Sequence, residues 1–310
     1  MKRLARWGFF LLLMATVPSC SKDSNPTAPT TPMDTKDLNP TAPTAPIETE
    51  VVQGITFVTI PGGTFLMGSD WETDLDNPNS NKGWFTDEQP VHQVTVKTFQ
   101  MSATEITNTQ YAAYLNNALT EGEITATTSG VTGAKGDYRG QIYIALSGGQ
   151  DNWNKCWISY NGTSFSVVSG KENWPVVLVT WYGSKAFALK YGFDLPSEKE
   201  WEYAARGGKQ YEYGTDDGTL SSAKANYDSG SPKDVGSYPA NPFGLYDLAG
   251  NVWEWCNDWY ASYSSSNHTD SMVLRSGSWH FNVIGCRSTV RNFNDPYGCT
   301  AYIGFRVVRR

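Results

Sequence analysis

Eighteen residues constrain the fold of this chain more than any others: Phe243-Gly-Leu-Tyr-Asp-Leu-Ala-Gly-Asn-Val-Trp-Glu-Trp-Cys-Asn-Asp-Trp-Tyr260. They hold six aromatic rings and three carboxylates, and Gly250-Asn251 breaks the run near its middle. Trp253 and Trp255 stand two apart, the spacing that puts both rings on one face of an extended segment. Asp247, Glu254 and Asp258 interrupt the apolar run, and a charge in such a place needs a partner or a metal. Two readings stay open: an aromatic core segment whose carboxylates bond to nearby backbone amides, or an ion-binding loop wrapped around that core.

The N-terminus reads as a targeting segment. Lys2, Arg3 and Arg6 precede an apolar run from Trp7 to Val17, which is short for a bilayer span. Val17-Pro18-Ser19-Cys20 resembles the lipobox of bacterial lipoproteins. The resemblance implies a signal peptide over 1–19, lipidation of Cys20, and a place in the bacterial cell envelope at the outer membrane or cell surface. From residue 20 to 50 a tether is predicted. DSNPTAPTTPMDTK is followed by DLNPTAPTAPIETE, identical at nine of fourteen positions. Proline every few residues with almost no large apolar side chain cannot form a core, and extended geometry would span about 90 Å.

Residues 51–310 carry the patterning of a folded domain, with 12 Trp, 17 Tyr and 13 Phe in the chain to fill a core. Alternation predicts strands at Ile55–Ile60, Thr64–Gly68 and Val91–Val96. Thr107-Asn-Thr-Gln110 is a capping box that opens a helix. Val176–Val179 reads as a buried strand, Thr180 as the N-cap of a second helix, and Ser197 with Glu200 as the capping box of a third. The acids Glu198, Glu200 and Glu202 complement the dipole of that helix. The Gly-, Ser- and Thr-rich span from Thr120 to Trp174 reads as a long, partly ordered excursion with short strands at Ile142–Leu146 and Ser164–Val168.

The net charge is −7 with a pI near 5.0, and no Lys/Arg cluster lies away from the ends, so no nucleic-acid partner is expected. His92, His268 and His280 have no paired metal-ligand spacing. Neither a Gly-x-Ser-x-Gly elbow in strand–helix context nor a phosphate-cradling glycine loop occurs. Besides Cys20 the chain has Cys156, Cys256, Cys286 and Cys299, which read equally as two disulfides in three connectivities or as buried thiols.

Seven motifs in order carry a family resemblance: Pro61-Gly-Gly-Thr-Phe-Leu-Met-Gly68, Glu105-Ile-Thr-Asn108, Leu195 through Gly208, the opening stretch, Arg275-Ser-Gly-Ser-Trp279, Cys286-Arg-Ser288 and Ile303-Gly-Phe-Arg306. Across residues 55–308 the chain resembles the formylglycine-generating-enzyme, or sulfatase-modifying-factor, domain. This is a variant of the C-type-lectin-like fold, α+β with much irregular structure. Active oxidases of that family hold copper(I) with two cysteines and convert a sulfatase cysteine to formylglycine. Here the second ligand position falls on Cys286 and the first on Phe281, which cannot ligate a metal. Allowing a short gap, Cys286 matches a later segment and both ligands are lost. Copper is therefore not expected, and Trp253, Ser278 and Cys286 stand as residual active-site positions. The resemblance also implies a calcium site, made by the side chains of Asp247 and Glu254 and the carbonyls of Gly250 and Val252.

In this fold the segment from His280 to Ile303 forms part of the binding face. It lacks Lys, Glu, Gln, Met and Trp, a bias compatible with a binder diversified at Asn-type codons and equally with a fixed loop. His280, Phe281, Asn282, Val283 and Ile284, followed by Asn292, Phe293, Asn294 and Tyr297, are the candidate contacts to a protein or glycan ligand. The expectation is a lipid-anchored binding protein, with a formylglycine-generating oxidase as the rival.

Overall fold

The eighteen-residue stretch forms a tight loop and then a long strand, β11 (Trp253–Ala261). The strand divides the interior. Trp253 and Trp255 face one hydrophobic cluster with Tyr111, Phe187 and Phe305, whereas Cys256 joins a second with Trp201, Phe243 and Val273. Alternate side chains point to opposite faces of a strand, so the two-residue spacing of the tryptophans places both on the first side. Glu254, between them, is also fully buried.

A computed structural model describes residues 47–70, 85–147, 155–265 and 267–310, all within one unit, Lys36–Arg310. The predicted signal peptide, Cys20 and the tether up to residue 46 lie outside the described residues. The folded domain takes up the last tether positions: β1 (Thr49–Val52) pairs antiparallel with β2 (Ile55–Ile60), so regular structure starts two residues before the expected boundary at 51. Among the described residues no helix is long and apolar enough to cross a membrane.

β11 lies in a sheet ordered β13-β12-β11-β14. Its partners are β12 (His268–Arg275), β13 (Asn292–Asn294) on the outer edge and β14 (Ile303–Gly304), the last parallel to β11. A second sheet joins β1, β2, β5 (Phe99–Ser102) and β15 (Val308–Arg309), bringing both ends of the domain together. β3 (Gly63–Met67) and β4 (His92–Val96) lie where the alternation predicts strands, and they pair with each other.

Three α-helices lie among the described residues. In α1 (Asn108–Thr120) and α3 (Glu198–Ala205) the expected capping boxes are complete, with Thr107 and Gln110 reciprocating in one and Ser197 and Glu200 in the other. Thr180 caps α2 (Trp181–Lys190).

Two expectations change. The span after α1 is far more ordered than an excursion. β6 (Ile124–Thr127), β7 (Gly130–Gly133) and β8 (Ile142–Ala145) form a three-stranded sheet, and β9 (Ile158–Tyr160) pairs with β10 (Phe165–Val167). Val176–Val179 is buried but is not a regular strand. Leu178 takes a left-handed φ of 59°, so the segment bonds in turn to Ile106, Thr300 and Ala145 rather than to one neighbour.

Candidate functional site

Phe281 fills the position where the resemblance calls for a copper ligand. Its ring stands edge-on to Trp253, with centroids 5.2 Å apart and planes at 88°, and it also meets His280 and Tyr302. The buried Trp253 indole N–H has no acceptor among the described residues. The Cys286 side chain is fully buried in a small cluster with Ala225 and Ala249. Burial pushes its thiol up to about 12. A Cβ on Gly277 would lie 2.9 Å from its sulfur, so the glycine permits this tight seat. Ser278 is buried as well, and its carbonyl accepts the Phe281 N–H at 2.9 Å. All four described cysteines are free, and burial raises the pKa of each. Copper(I) ligation needs thiolates, and this arrangement favours thiols.

The loop before β11 is held in a demanding conformation. Asp247, Gly250 and Asn251 all have left-handed backbones, at φ 59°, 90° and 55°, and a Cβ on Gly250 would lie 2.4 Å from the Asn226 carbonyl. Such conformations cost about 1–3 kcal/mol each for non-glycine residues and persist where the surroundings fix them. Ser276 does part of this, donating its hydroxyl to the Gly250 carbonyl at 3.0 Å.

Beneath the loop lie three buried carboxylates and one guanidinium. Arg306 grips Glu254 with two bonds, Nε to Oε2 at 2.7 Å and Nη2 to Oε1 at 2.8 Å, and the Trp201 indole donates to Oε2 at 2.7 Å. Asp247 accepts the Gly236 N–H at 2.7 Å, and Glu105 accepts from Asn251 at 3.0 Å. The other Glu105 oxygen, Oε2, is buried as well. Burial pushes Asp247 up to about 6. Burial, then the charges of Asp247 and Glu254, raise Glu105 further.

Burial and the neighbouring acids raise Glu105 well above the usual carboxylate range, and its side chain hydrogen-bonds to Asp247, so these two acids share a proton beside the Arg306–Glu254 pair. Carboxylate and carbonyl oxygens are the donors calcium takes, but both Glu254 oxygens are already engaged by Arg306 and Trp201. Among the described residues no three His, Cys, Asp or Glu side chains converge as a metal cage, so an ion here would depend on the Gly250 and Val252 carbonyls beside Asp247 and Glu254. Glu105 and Arg306 are the members of this cluster that the sequence reading missed. Each belongs to a quoted motif, yet nothing local couples them to residues over 50 positions away.

The candidate ligand-contacting residues separate by exposure. Val283, Phe293 and Tyr297 are 41%, 45% and 55% exposed; His280 and Asn282 are exposed too, while Phe281, Ile284, Asn292 and Asn294 are half-buried. Asn282 caps the short helical turn Val283–Cys286, and Phe281 is a wedge against Trp253 more than an outward contact. Asn292–Asn294 forms the edge strand β13, with the Phe293 ring 4.4 Å from that of Tyr260. Tyr297 packs on Tyr182 at 5.2 Å.

Comparison with known proteins agrees with this architecture. The family model for the sulfatase-modifying factor enzyme 1-like domain matches residues 43–310. The formylglycine-generating enzyme of Streptomyces coelicolor is 31% identical over 298 residues, covering 80% of this chain and 87% of that protein. The serine/threonine-protein kinase pkn1 of Chlamydia caviae is 31% identical over 267 residues, covering 81% of this chain and only 37% of the kinase. The chain thus spans little more than a third of that relative's length. The solved structure of PvdO from Pseudomonas aeruginosa superposes with a TM-score of 0.60 at 24% identity, covering 86% of this chain and 98% of that one. The fold is α+β, the formylglycine-generating-enzyme-like variant of the C-type-lectin fold, and the chain belongs to the sulfatase-modifying factor enzyme 1-like domain family.

Proposed function

We propose that this domain binds a protein or glycan ligand rather than oxidising a cysteine. The observation that carries the reading is the outward display of Val283, Phe293 and Tyr297 in the segment that also holds Phe281, the residue standing where a metal ligand would be needed. Exposed aromatic side chains supply contact area at low entropic cost, and a rigid sheet edge presents Phe293. The buried, protonated thiols support the same conclusion from the chemical side.

In this reading Cys20 carries lipid, the Pro/Thr tether holds the domain away from the envelope membrane, and residues 280–303 meet the ligand. Calcium, if held by Asp247, Glu254 and the Gly250 and Val252 carbonyls, would neutralise the buried carboxylates and stiffen the loop. The family's oxidase chemistry would need a second thiolate that Phe281 does not supply.

Two measurements test this. The purified domain is mixed with copper(I) and a sulfatase-derived cysteine peptide under oxygen, and formylglycine formed at a catalytic rate would overturn the binding assignment. In parallel, the wild type and a Phe293→Ala/Tyr297→Ala variant are screened against glycans and envelope proteins. A ligand bound by the wild type should lose at least tenfold in affinity with the variant. Sequencing the gene through one growing lineage tests diversification, since unchanging codons 280–303 would rule it out for that lineage.

A further inference from the structure

On the helical side of the domain, away from the Phe281 wedge, a cavity of about 290 Å³ is lined by Tyr114, Tyr143, Tyr138, Glu123, Lys190 and Leu189, with Lys135 and Asp137 also at its wall. We propose that it binds a neutral saccharide, taking one sugar ring into the cavity. Its size lies at the lower end of ligand pockets, which run from about 300 to 1,000 Å³.

Its polar groups set the ligand class. Tyr114 comes from α1 and Tyr143 from β8. Both rings are nearly inaccessible. Burial pushes Tyr143 up to about 12, with Glu123 and Tyr138 adding to it, and burial raises Tyr114 beyond the ordinary phenol range. Each hydroxyl therefore keeps its proton and can donate or accept. Gly133 leaves room for the Tyr143 hydroxyl, since a Cβ there would lie 2.7 Å from it.

The charges cancel. Lys135 and Lys190 face Glu123 and Asp137. Lys190 is already paired with Glu123 at 2.8 Å and with Glu121, and Lys135 donates to the Glu121 carbonyl at 2.9 Å. An ion entering would meet both signs. A ligand with many neutral donors and acceptors matches a wall that offers both.

The surface beside the cavity favours a sugar over a small zwitterion. Tyr138 packs against Tyr182 at 5.5 Å, and Tyr182 against Tyr297 at 5.2 Å. All three are partly or largely exposed. A row of rings leading out of a polar cavity suits the apolar faces of successive sugar rings, each aromatic presenting an apolar body with a polar tip. The inference shares only Tyr297 with the ligand-binding segment and stands if Phe293 and Val283 contact nothing.

The test is saturation-transfer NMR on the full chain. The probes are methyl glycosides of glucose, mannose and galactose, with glycine and glutamate as zwitterionic controls. At least one glycoside should bind with a Kd on the order of 1 mM, as the small size of such ligands allows, and the amino acids should not. Tyr143→Phe, which removes one hydroxyl, should weaken it roughly three- to tenfold. Leu189→Trp at the exposed rim should block entry, and this variant decides the matter if Tyr143→Phe fails to fold. Val51→Ala, at an exposed position outside both the cavity and the 280–303 surface, should leave the signal unchanged. Silence from every glycoside, transfer from the amino acids alone, or binding that survives Leu189→Trp would overturn the proposal.

Discussion

The Phe281 ring meets the face of Trp253 edge-on at 5.2 Å, while the thiol of Cys286 is seated in a separate cluster with Ala225 and Ala249. The two positions that would have to act together on copper belong to different packing environments. The buried Cys286 thiol is held well above its ordinary range, which disfavours the thiolate that copper(I) needs. Phe281→Cys is expected to bind no more copper(I) than the wild type in competition with a chromogenic chelator. Phe281→Ala should lower stability by about 1–3 kcal/mol in urea unfolding, below the range for a fully buried ring because Phe281 is only half-buried.

The Arg306–Glu254 pair should be among the most sensitive points of the fold. Both side chains are fully buried. Removing one partner strands the other charge in the interior, at about 3–5 kcal/mol. Arg306→Ala should therefore unfold at markedly lower urea. Arg306→Met together with Glu254→Leu should recover much of the loss, because the pair's own net contribution is small once both charges are absent. If the double variant is no better than the single, the cluster has a further role, such as holding an ion.

Acid stability should depend on Glu202. Burial pushes its carboxyl up, but the Arg206 and Arg275 guanidiniums and the Gly68 N–H outweigh that and hold it below the ordinary range. In the unfolded chain it titrates near about 4.3. The folded form releases its proton more readily, so the stabilisation is present above that pH and is lost as pH falls through the lowered folded value. Urea midpoints measured from pH 7 to pH 3 should fall steeply for the wild type. In Glu202→Gln the midpoint should start lower at pH 7, by about 3–5 kcal/mol in stability, and the acid limb should be flatter.

Chelation should reveal whether an ion neutralises Glu105, Asp247 and Glu254. Adding a calcium chelator at pH 7.5 is expected to lower the Tm of the wild type by several degrees, since a ligand that binds only the folded state stabilises it by mass action. In Asp247→Ala the chelator should have no effect. A wild-type melting curve that ignores both chelator and added calcium would remove calcium from the account.

Some of this was legible in the chain and some was not. The capping boxes at Thr107/Gln110 and Ser197/Glu200 form as read, because a cap joins residues three apart and owes little to the rest of the molecule. The sheet of β6, β7 and β8 was only partly visible. Ile124–Thr127 and Gly130–Gly133 are short, rich in Thr and Gly, and carry too little alternation to stand out. Glu198 and Glu200 stand in the first turn of α3, as the dipole reading expects. What the sequence does not show is that Glu198 and Glu202 are also buried and paired with Arg275 and Arg291, some 70 to 90 residues away. The Tyr138–Tyr182–Tyr297 row was invisible for the same reason, its members coming from three separate parts of the chain.

By itself the sequence determined the family and the two-residue spacing that puts Trp253 and Trp255 on one side of β11. These are properties of residue identity and local geometry, which survive without knowledge of what packs where. Only the tertiary structure decided that Arg306 is the partner of Glu254, that the Cys286 thiol is buried in a cluster with Ala225 and Ala249, and that a cavity opens beside Tyr143. Each depends on which distant surfaces are pressed together. In a dry interior the charge or void left by that packing must be answered by whichever side chain arrives there.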